Sequence, residues 1–370
     1  MAITLFPNAL GTSLANMFPR NAIAALVRNM PRSPIQLNEI YPEDEIPGFH
    51  VVYNIYSGGR PMAPIVSVNS AAVLLQPNDH YKLTADPLVI KTGIVLTPED
   101  IVKLALPQDP TKPYVDQLKL DYAAHIKAAV ERRKFWAISE ILMKGRIFYV
   151  GGVQNPVKVY LNFDLLPTHK RAVSSGIAAA WGTDEADPFS DIVTAANLID
   201  DDGGAPATHI VMNRNTLLLA TNSKKLHDTL VQTHVSTQEF DQISRFKVML
   251  KGMGLELFIV NESYLVPGVG NHKFVEDGRV AVFSLTGNDA GDPNEMFGQT
   301  ILTSSVDAEM EVSGEFSPGF WSDFIESKNP RQFLNTGGLS FLPVTRYPDR
   351  QVCMFVTGND AAAGWGTPTL

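Results

Sequence analysis

The sequence predicts an α+β fold, and three observations predict it. Residues 113 to 144 read as one long helix, β-rich pieces lie on both sides of that helix, and a compact α/β run from Asp187 to about Leu285 interrupts the strands. The 370 residues suffice for one large core or two modest ones, and 45% hydrophobic residues place the chain among soluble globular proteins.

Taken in order, residues 1 to 50 carry prolines at 7, 19, 31, 34, 42 and 47, and only Asn21 to Met30 is periodic enough for a short helix. That is an extended arm, and an arm without its own core must lie on something else. Residues 51 to 96 give VVYNIYSGG, VSVNSAAVLLQ and LVIKTGIVL, split by Gly58-Gly59, Gln76-Pro77-Asn78 and Asp86-Pro87. They read as a long two-stranded excursion, too thin to bury a face alone.

In the helix, Asp109 or Thr111 can cap, Pro113 is tolerated in the first turn, and Gly145 ends the run. Val115, Leu118, Tyr122, Ile126, Val130, Ala137 and Ile141 recur at three or four and predict one apolar stripe on a rod of about 48 Å. GRIFYV and VKVYLNF, separated by Gly151-Gly152 and Asn155-Pro156, predict a hairpin.

In the compact block, Asp187-Pro188 opens a helix that the run Asp200 to Gly204 stops, and THIVMN is a strand. Asn213, Ser223 and Ser236 each start a helix, the last with Glu239 as a capping box, while GLELFIVN and RVAVFSL close the block as strands. Beyond it, TSSVDAEMEVSGEFS is a strand, GLSFLPVTRYPDRQVCMFV gives two more, and GNDAAAGWGTPTL is a flexible polar tail. The helix, its hairpin and the last strands are expected to share one layer, with the α/β block inserted between them.

A formal charge of −9 argues against tight wrapping of duplex nucleic acid, since phosphate contacts need clustered Lys and Arg. Glu131-Arg132-Arg133-Lys134 is the nearest approach to a basic run. Cys353 is the only cysteine, which excludes an internal disulfide and fits a reducing compartment. AIAALV, residues 22 to 27, is too short for a signal or a membrane span, so the expected place of synthesis is the cytosol.

Chemistry-bearing motifs are absent from the text. There is no Gly-x-Ser-x-Gly elbow and no Walker loop; Ser174-Ser175-Gly176 sits in a linker, and Gly252-Met253-Gly254 and Gly268-Val269-Gly270 read as ordinary turns. Of the histidines, only His227 and His234 come close, and two polar-face histidines outweigh a metal pair. Asp184, Glu185, Asp187 and Asp191, with Asp200 to Asp202, read as caps and solvated turns in preference to a cation site. Phe135-Trp136 and Phe320-Trp321 read as core anchors in preference to base-stacking platforms. No catalytic, cofactor-binding or metal residue is assigned, and no cofactor is expected.

The arm, the thin hairpin, the long helix and the exposed strand pairs each leave apolar surface and backbone edges uncovered in one copy, so neighbouring copies must supply the cover. That describes a building block. The helix ending ERRKFWAISEILMKGRIFYV, the hairpin strand VKVYLNF, the stretch WGTDEADPFSDI and the close GEFSPGFWSDFIESKNPRQFLNTGGLSFLPVTRYPDRQVCMFV resemble the lambda-type major capsid protein E family of tailed bacteriophages. The likeness is collinear from about residue 35 to 356; Lys328-Asn329-Pro330 departs from the Asp-Pro the family tends to carry there.

The resemblance implies a Hong Kong 97-like phage capsid fold. Residues 1–50 would be an N-terminal arm, 51–96 an extended loop, and 97–186 a peripheral domain with a spine helix at 113–144 and a hairpin at 146–163. Residues 187–300 would be an axial domain, 301–357 peripheral return strands, and 358–370 a flexible tail. It implies a major capsid protein that assembles with itself into hexamers and pentamers of an icosahedral shell around double-stranded DNA, made in the host cytoplasm and located in the virion. Scaffold, portal and decoration proteins and non-specific DNA contact at the inner surface are its implied partners, with no membrane and no catalysis. A lysine–asparagine cross-link would use Lys82 or Lys91, although exposed hairpin lysines are commonly edge protectors. A homo-oligomeric cytosolic enzyme using the α/β block, or another phage ring or assembly component, stands as the alternative.

Overall fold

The computed structural model describes residues 37–56, 80–95, 114–151, 157–173, 175–225, 239–266, 270–286, 296–309, 316–328, 331–358 and 364–365. The helix expected at Asn21 to Met30, the VSVNSAAVLLQ piece, the caps at Asp109 or Thr111, the Ser236 capping box and the pair His227 and His234 lie outside them.

The chain runs α1 (Leu37–Ile40), β1 (Glu43–Ile46), β2 (Val51–Tyr56), β3 (His80–Ala85), β4 (Leu88–Val95), α2 (Tyr114–Lys144), β5 (Arg146–Gly151) and β6 (Val157–Asn162). It continues through β7 (Lys170–Val173), β8 (Gly176–Ile177), α3 (Pro188–Gly203), β9 (His209–Met212), α4 (Arg214–Thr221), α5 (Glu239–Gly252) and β10 (Glu256–Ile259). Then come β11 (Ser263–Val266), β12 (Gly270–Lys273), β13 (Arg279–Phe283), β14 (Gly298–Glu309), β15 (Phe316–Pro318), β16 (Trp321–Lys328), β17 (Arg331–Thr345) and β18 (Gln351–Phe355).

Among the described residues the strands form two six-stranded sheets and three separate pairs, β2–β3, β5–β6 and β11–β12. In the first sheet β17 is the axis. Ser340 pairs with Thr303 of β14 and with Val89 of β4, and Gly338 pairs with Trp321 of β16 and with Lys91 of β4. A strand residue has one neighbour on each side, so β4 fills one side of β17 while β16 and β14 follow each other along the other. Parallel to β14 lies β1, and β15 pairs with β14 as well. The second sheet runs β10-β9-β13-β18-β7-β8.

Three placements differ from the expected layering. Residues 37–50, expected in an arm without its own core, are part of the body: Leu37, Ile40 and Tyr41 are fully buried in the chain's own core and β1 pairs with β14. LVIKTGIV, expected as part of the thin excursion, is β4, bonded along β17. QVCMF, expected to return to the layer of the helix, is β18 in the middle of the second sheet, antiparallel to β13 and parallel to β7. Both strands alternate or run apolar as strands should, but nothing in their letters says which distant strand receives them.

The helix α2 spans 31 residues, about 46 Å. Towards its middle it keeps the expected stripe: Ala123, Ile126 and Val130 are buried while His125, Ala129 and Arg132 are exposed. From Lys134 to Met143 burial spreads round the helix, because its C-terminal turns lie between β17 and β4 on one side and β13 and β18 on the other. The second sheet is covered on both faces. Val211, Ala281 and Phe283 point to the core shared with α2, and Ile210, Met212, Val280 and Val282 to a second core with α3, α4 and α5. Continuous apolar text such as RVAVF follows from burial on both faces.

Residues 51 to 56 also bury a face. Val51, Tyr53 and Ile55 belong to the first core, and β3 pairs with β2 from Val51↔Ala85 to Tyr56↔His80. Tyr56 donates its N–H to Arg346 O at 2.8 Å and its ring stacks on Tyr347, so the root of the excursion is fixed to the body.

Candidate assembly surface

A rigid frame underlies the surface. The last carbonyls of α2 are orphans by geometry. Gln351 Nε2 donates to Ile141 O and Leu142 O at 2.9 Å each, Cys353 Sγ donates to Leu142 O at 3.2 Å, and Gly145, at φ +66°, closes the helix on Ile141 O. Burial pushes the Cys353 thiol up to about 11, so the sole cysteine serves packing and capping. Lys134, buried in α2, is ion-paired with Glu43 of β1, and Ser139 donates to the carbonyl of Phe274. These contacts explain why Lys134 and Ser139 can be buried.

Lys144 bridges Glu140 at 2.8 Å and Glu276 at 2.9 Å, and Arg279 Nε meets Glu276 at 2.7 Å. Burial raises the Glu140 carboxyl above its ordinary range against the pull of Lys144. Burial acts on Glu276 too, but Lys144 and Arg279 outweigh it and hold that carboxyl below the ordinary range. Glu276 therefore contributes stability that is present above the ordinary carboxylate range and lost as pH falls through its lowered folded value. Glu276→Gln is expected to cost about 1 kcal/mol at neutral pH, modest because the side chain is half exposed, and the gap to wild type should close in acid. Urea midpoints across the acidic range check it, and a gap that widens on acidification would refute the assignment.

Trp136 leaves the frame and comes to the surface. Arg133 lies over its ring at 4.8 Å and over Tyr149 at 4.6 Å, and Trp136 meets Tyr149 edge-on at 5.8 Å. A cleft of about 520 Å³ opens on one side of this cluster, walled by β4 and the β5–β6 hairpin and floored by Trp136 and Phe341. A second, of about 580 Å³, opens on the other side between α2 and β11, with Arg132, Arg133 and Tyr264 in its lining. Val89 (57% exposed), Val150 (53%) and Leu265 (68%) stand out from the strands beside these clefts. Large apolar side chains bared along strands and hairpins mark a surface that meets protein.

Phe135 is a core anchor as the sequence suggests, but its neighbour Trp136 is half-buried at the rim of both clefts with two arginines beside it. Sequence spacing could have found it: Trp136 falls four residues after Arg132, on the exposed side of the stripe. Trp321 is buried and Phe320 partly so. The acidic letters have local structural roles. Asp187 caps α3 at Ser190 N, Asp191 accepts the Trp181 indole N–H at 2.9 Å, Asp200 accepts from Ala207 N, and Asp202 meets buried His169 at 3.0 Å. Asp184 and Glu185 are exposed in a turn. The WGTDEADPFSDI text is thus one unit: a cap, a first-turn proline, and a tryptophan tied to the same helix, with burial raising the Asp191 carboxyl.

Lys82 on β3 lies opposite Asn54, and Lys91 on β4 opposite Gly338; both are exposed. His209 is stacked between Phe258 and Phe283, His272 stacks on Tyr264, and His50 pairs with Asp86 at 2.8 Å. Gly254, at φ +80°, and Gly270, at φ +123°, are turn and hairpin positions. Within the tail, which reads as flexible, the described pair Gly364–Trp365 lies against the body, with Arg146 donating to the Gly364 carbonyl. Among the described residues no helix is long and apolar enough to cross a membrane, and no three His, Cys, Asp or Glu are grouped to hold a metal.

A model of the family described as phage major capsid protein E matches residues 20–300. Among solved structures, the chain is similar to a phage-related protein from Bordetella bronchiseptica RB50, at 13% identity and TM-score 0.57 over 92% of this chain and 98% of that one. It is also similar to the putative capsid protein of a prophage of E. coli CFT073, at 14% identity and TM-score 0.58 over 91% and 99%. No curated protein matches the sequence.

Proposed function

The chain belongs to the phage major capsid protein E family and has the Hong Kong 97-like capsid fold, and from that premise we propose how it builds its shell. Copies associate with one another as rings of five and six that close an icosahedral particle around double-stranded DNA. Residues before α1 act as the arm and the segment between β2 and β3 as the extended loop that lies on a neighbouring copy, while α1 and β1 belong to the body. The peripheral domain comprises α2, its hairpin and the β17 sheet, which takes residues 298–300 as the start of β14; the axial domain comprises 187–297 together with β7, β8 and β18. Assembly takes place in the host cytoplasm with a scaffold and a portal, and a decoration protein stabilises the outside. The role is structural, without catalysis. A net charge of −9 suits an inner wall that touches packaged DNA without gripping it.

One observation carries the loop reading. Val51, Tyr53 and Ile55 fix the root of the excursion in the core, so residues 57–79 leave and return at a single strand pair, Tyr56↔His80. Replacing 57–79 by a two-residue Asn-Gly turn across that pair should leave a soluble, folded chain that makes no shells in negative-stain micrographs. Normal shells from that variant would overturn the loop's role. The cut must spare β4, whose loss would strip β17 of one whole side.

A further inference from the structure

Two surfaces of the chain are complementary in charge, and they lie on opposite sides of α2. The first is the cleft between α2 and β11. Arg132 and Arg133 border it, Trp136 and Tyr264 line it, and Leu265 and Val266 of β11 form its apolar wall. Neither guanidinium is in an ion pair among the described residues. Arg133 is held in place by its two aromatic neighbours, and four successive β11 residues line the cleft, which puts the edge of that strand along it.

The second surface is β1. It is bonded only to β14 among the described strands, so its outer edge is open there. Asp44 and Glu45 are exposed and in no ion pair among the described residues, and Phe49 follows at 41% exposure. The neighbouring Glu43 is already used, paired inward to Lys134. At 3.6 residues per turn Lys134 lies about 140° round the helix from Ala129 in the cleft lining, which sets β1 away from the cleft of its own copy.

We propose that the acidic edge β1 of one copy docks in this cleft of the next copy, Asp44, turned away from the face that Glu43 uses, meeting Arg132 and Arg133, with Phe49 on the apolar wall. The inference rests on the shell reading and deepens it by naming which surfaces meet. A second copy is the occupant because the chain assembles with itself and carries both halves: a strand at the edge of its sheet among the described strands, which can extend β11, and carboxylates matched to guanidiniums that are in no ion pair among the described residues. A duplex would reach the arginines but would leave Leu265 and Val266 uncovered. The two patches differ, so the contact is head-to-tail, and such contacts close into rings when the rotation allows.

Charge exchange in the full-length protein tests this. Arg132→Asp and Asp44→Arg should each raise the protein concentration needed for shells by roughly tenfold, with an unchanged thermal midpoint, and the double variant should recover most of that loss. Mixing the two single variants should also restore association, since each keeps one intact face. Leu265→Ser should weaken assembly independently of charge, and raised salt should weaken wild type more than the Arg132→Asp chain. Singles that assemble like wild type, or a double no better than either single, would overturn the proposal. Normal Arg132→Asp shells that merely retain less DNA would overturn it too, in favour of a nucleic-acid contact. Failure of wild type to form any shell would count instead against the shell reading.

Discussion

Replacing Gly338 by alanine is expected to cost about 3 kcal/mol or more and to disorganise the β17 sheet. An added Cβ would stand 2.3 Å from the Ile90 backbone oxygen of β4 and 2.8 Å from Trp321 Cζ2. Neither obstacle can swing away, since one is main chain within the sheet ladder and the other is a buried indole. Gly145 is tighter by distance, 1.9 Å from Leu165 Cδ1, yet that is the far end of a flexible side chain. At Gly145 an alanine would also be strained by its φ of +66°, so Gly338, with no positive φ, is the position where main-chain crowding acts alone. Urea denaturation of the soluble chain reads it, and a Gly338→Ala midpoint at the wild-type value would show that β4 does not lie where described.

Phe135→Ala is expected to lose about 3–5 kcal/mol. The ring is fully buried in α2, edge-on to Phe274 at 6.4 Å, where the core shared by helix and both sheets is dense. Trp136→Ala one position on should lose much less fold stability, because that ring stands half-buried at the rim of two clefts. The contrast between adjacent residues is the useful measurement. Equal losses would mean that the two aromatics share one environment.

Local signals were legible because a short stretch of chain decides them. Asp187 before Pro188, Asn213 before α4, and Gly145 and Gly204 at helix ends need only their own neighbours, and each sits where its chemistry directs. The long helix was legible from periodicity, but its all-round burial was not. The burial of Lys134 and Ser139 depends on Glu43, 91 residues away, and on the Phe274 carbonyl, 135 away, which no local pattern announces.

Short or polar strands were the harder case. EDEI, SYLV and WSDFIESK carry no clean alternation and become β1, β11 and β16 through partners far along the chain. The assembly surface was the least legible part. Trp136 looks like a core anchor in one dimension, and only the folded chain shows it flanked by clefts. The shell reading came from the order of the pieces, whereas the surfaces that would join copies needed coordinates.

The side-chain cap on α2 also limits how a shell can change shape. Gln351 and Cys353 belong to β18, whose flanking strands are β13 and β7, so torque on the helix end passes straight into the centre of the second sheet. Opening that joint would strand buried carbonyls in apolar surroundings. Helix and sheet are accordingly expected to move as a single stiff lever, so a change of curvature falls between copies and spares this joint.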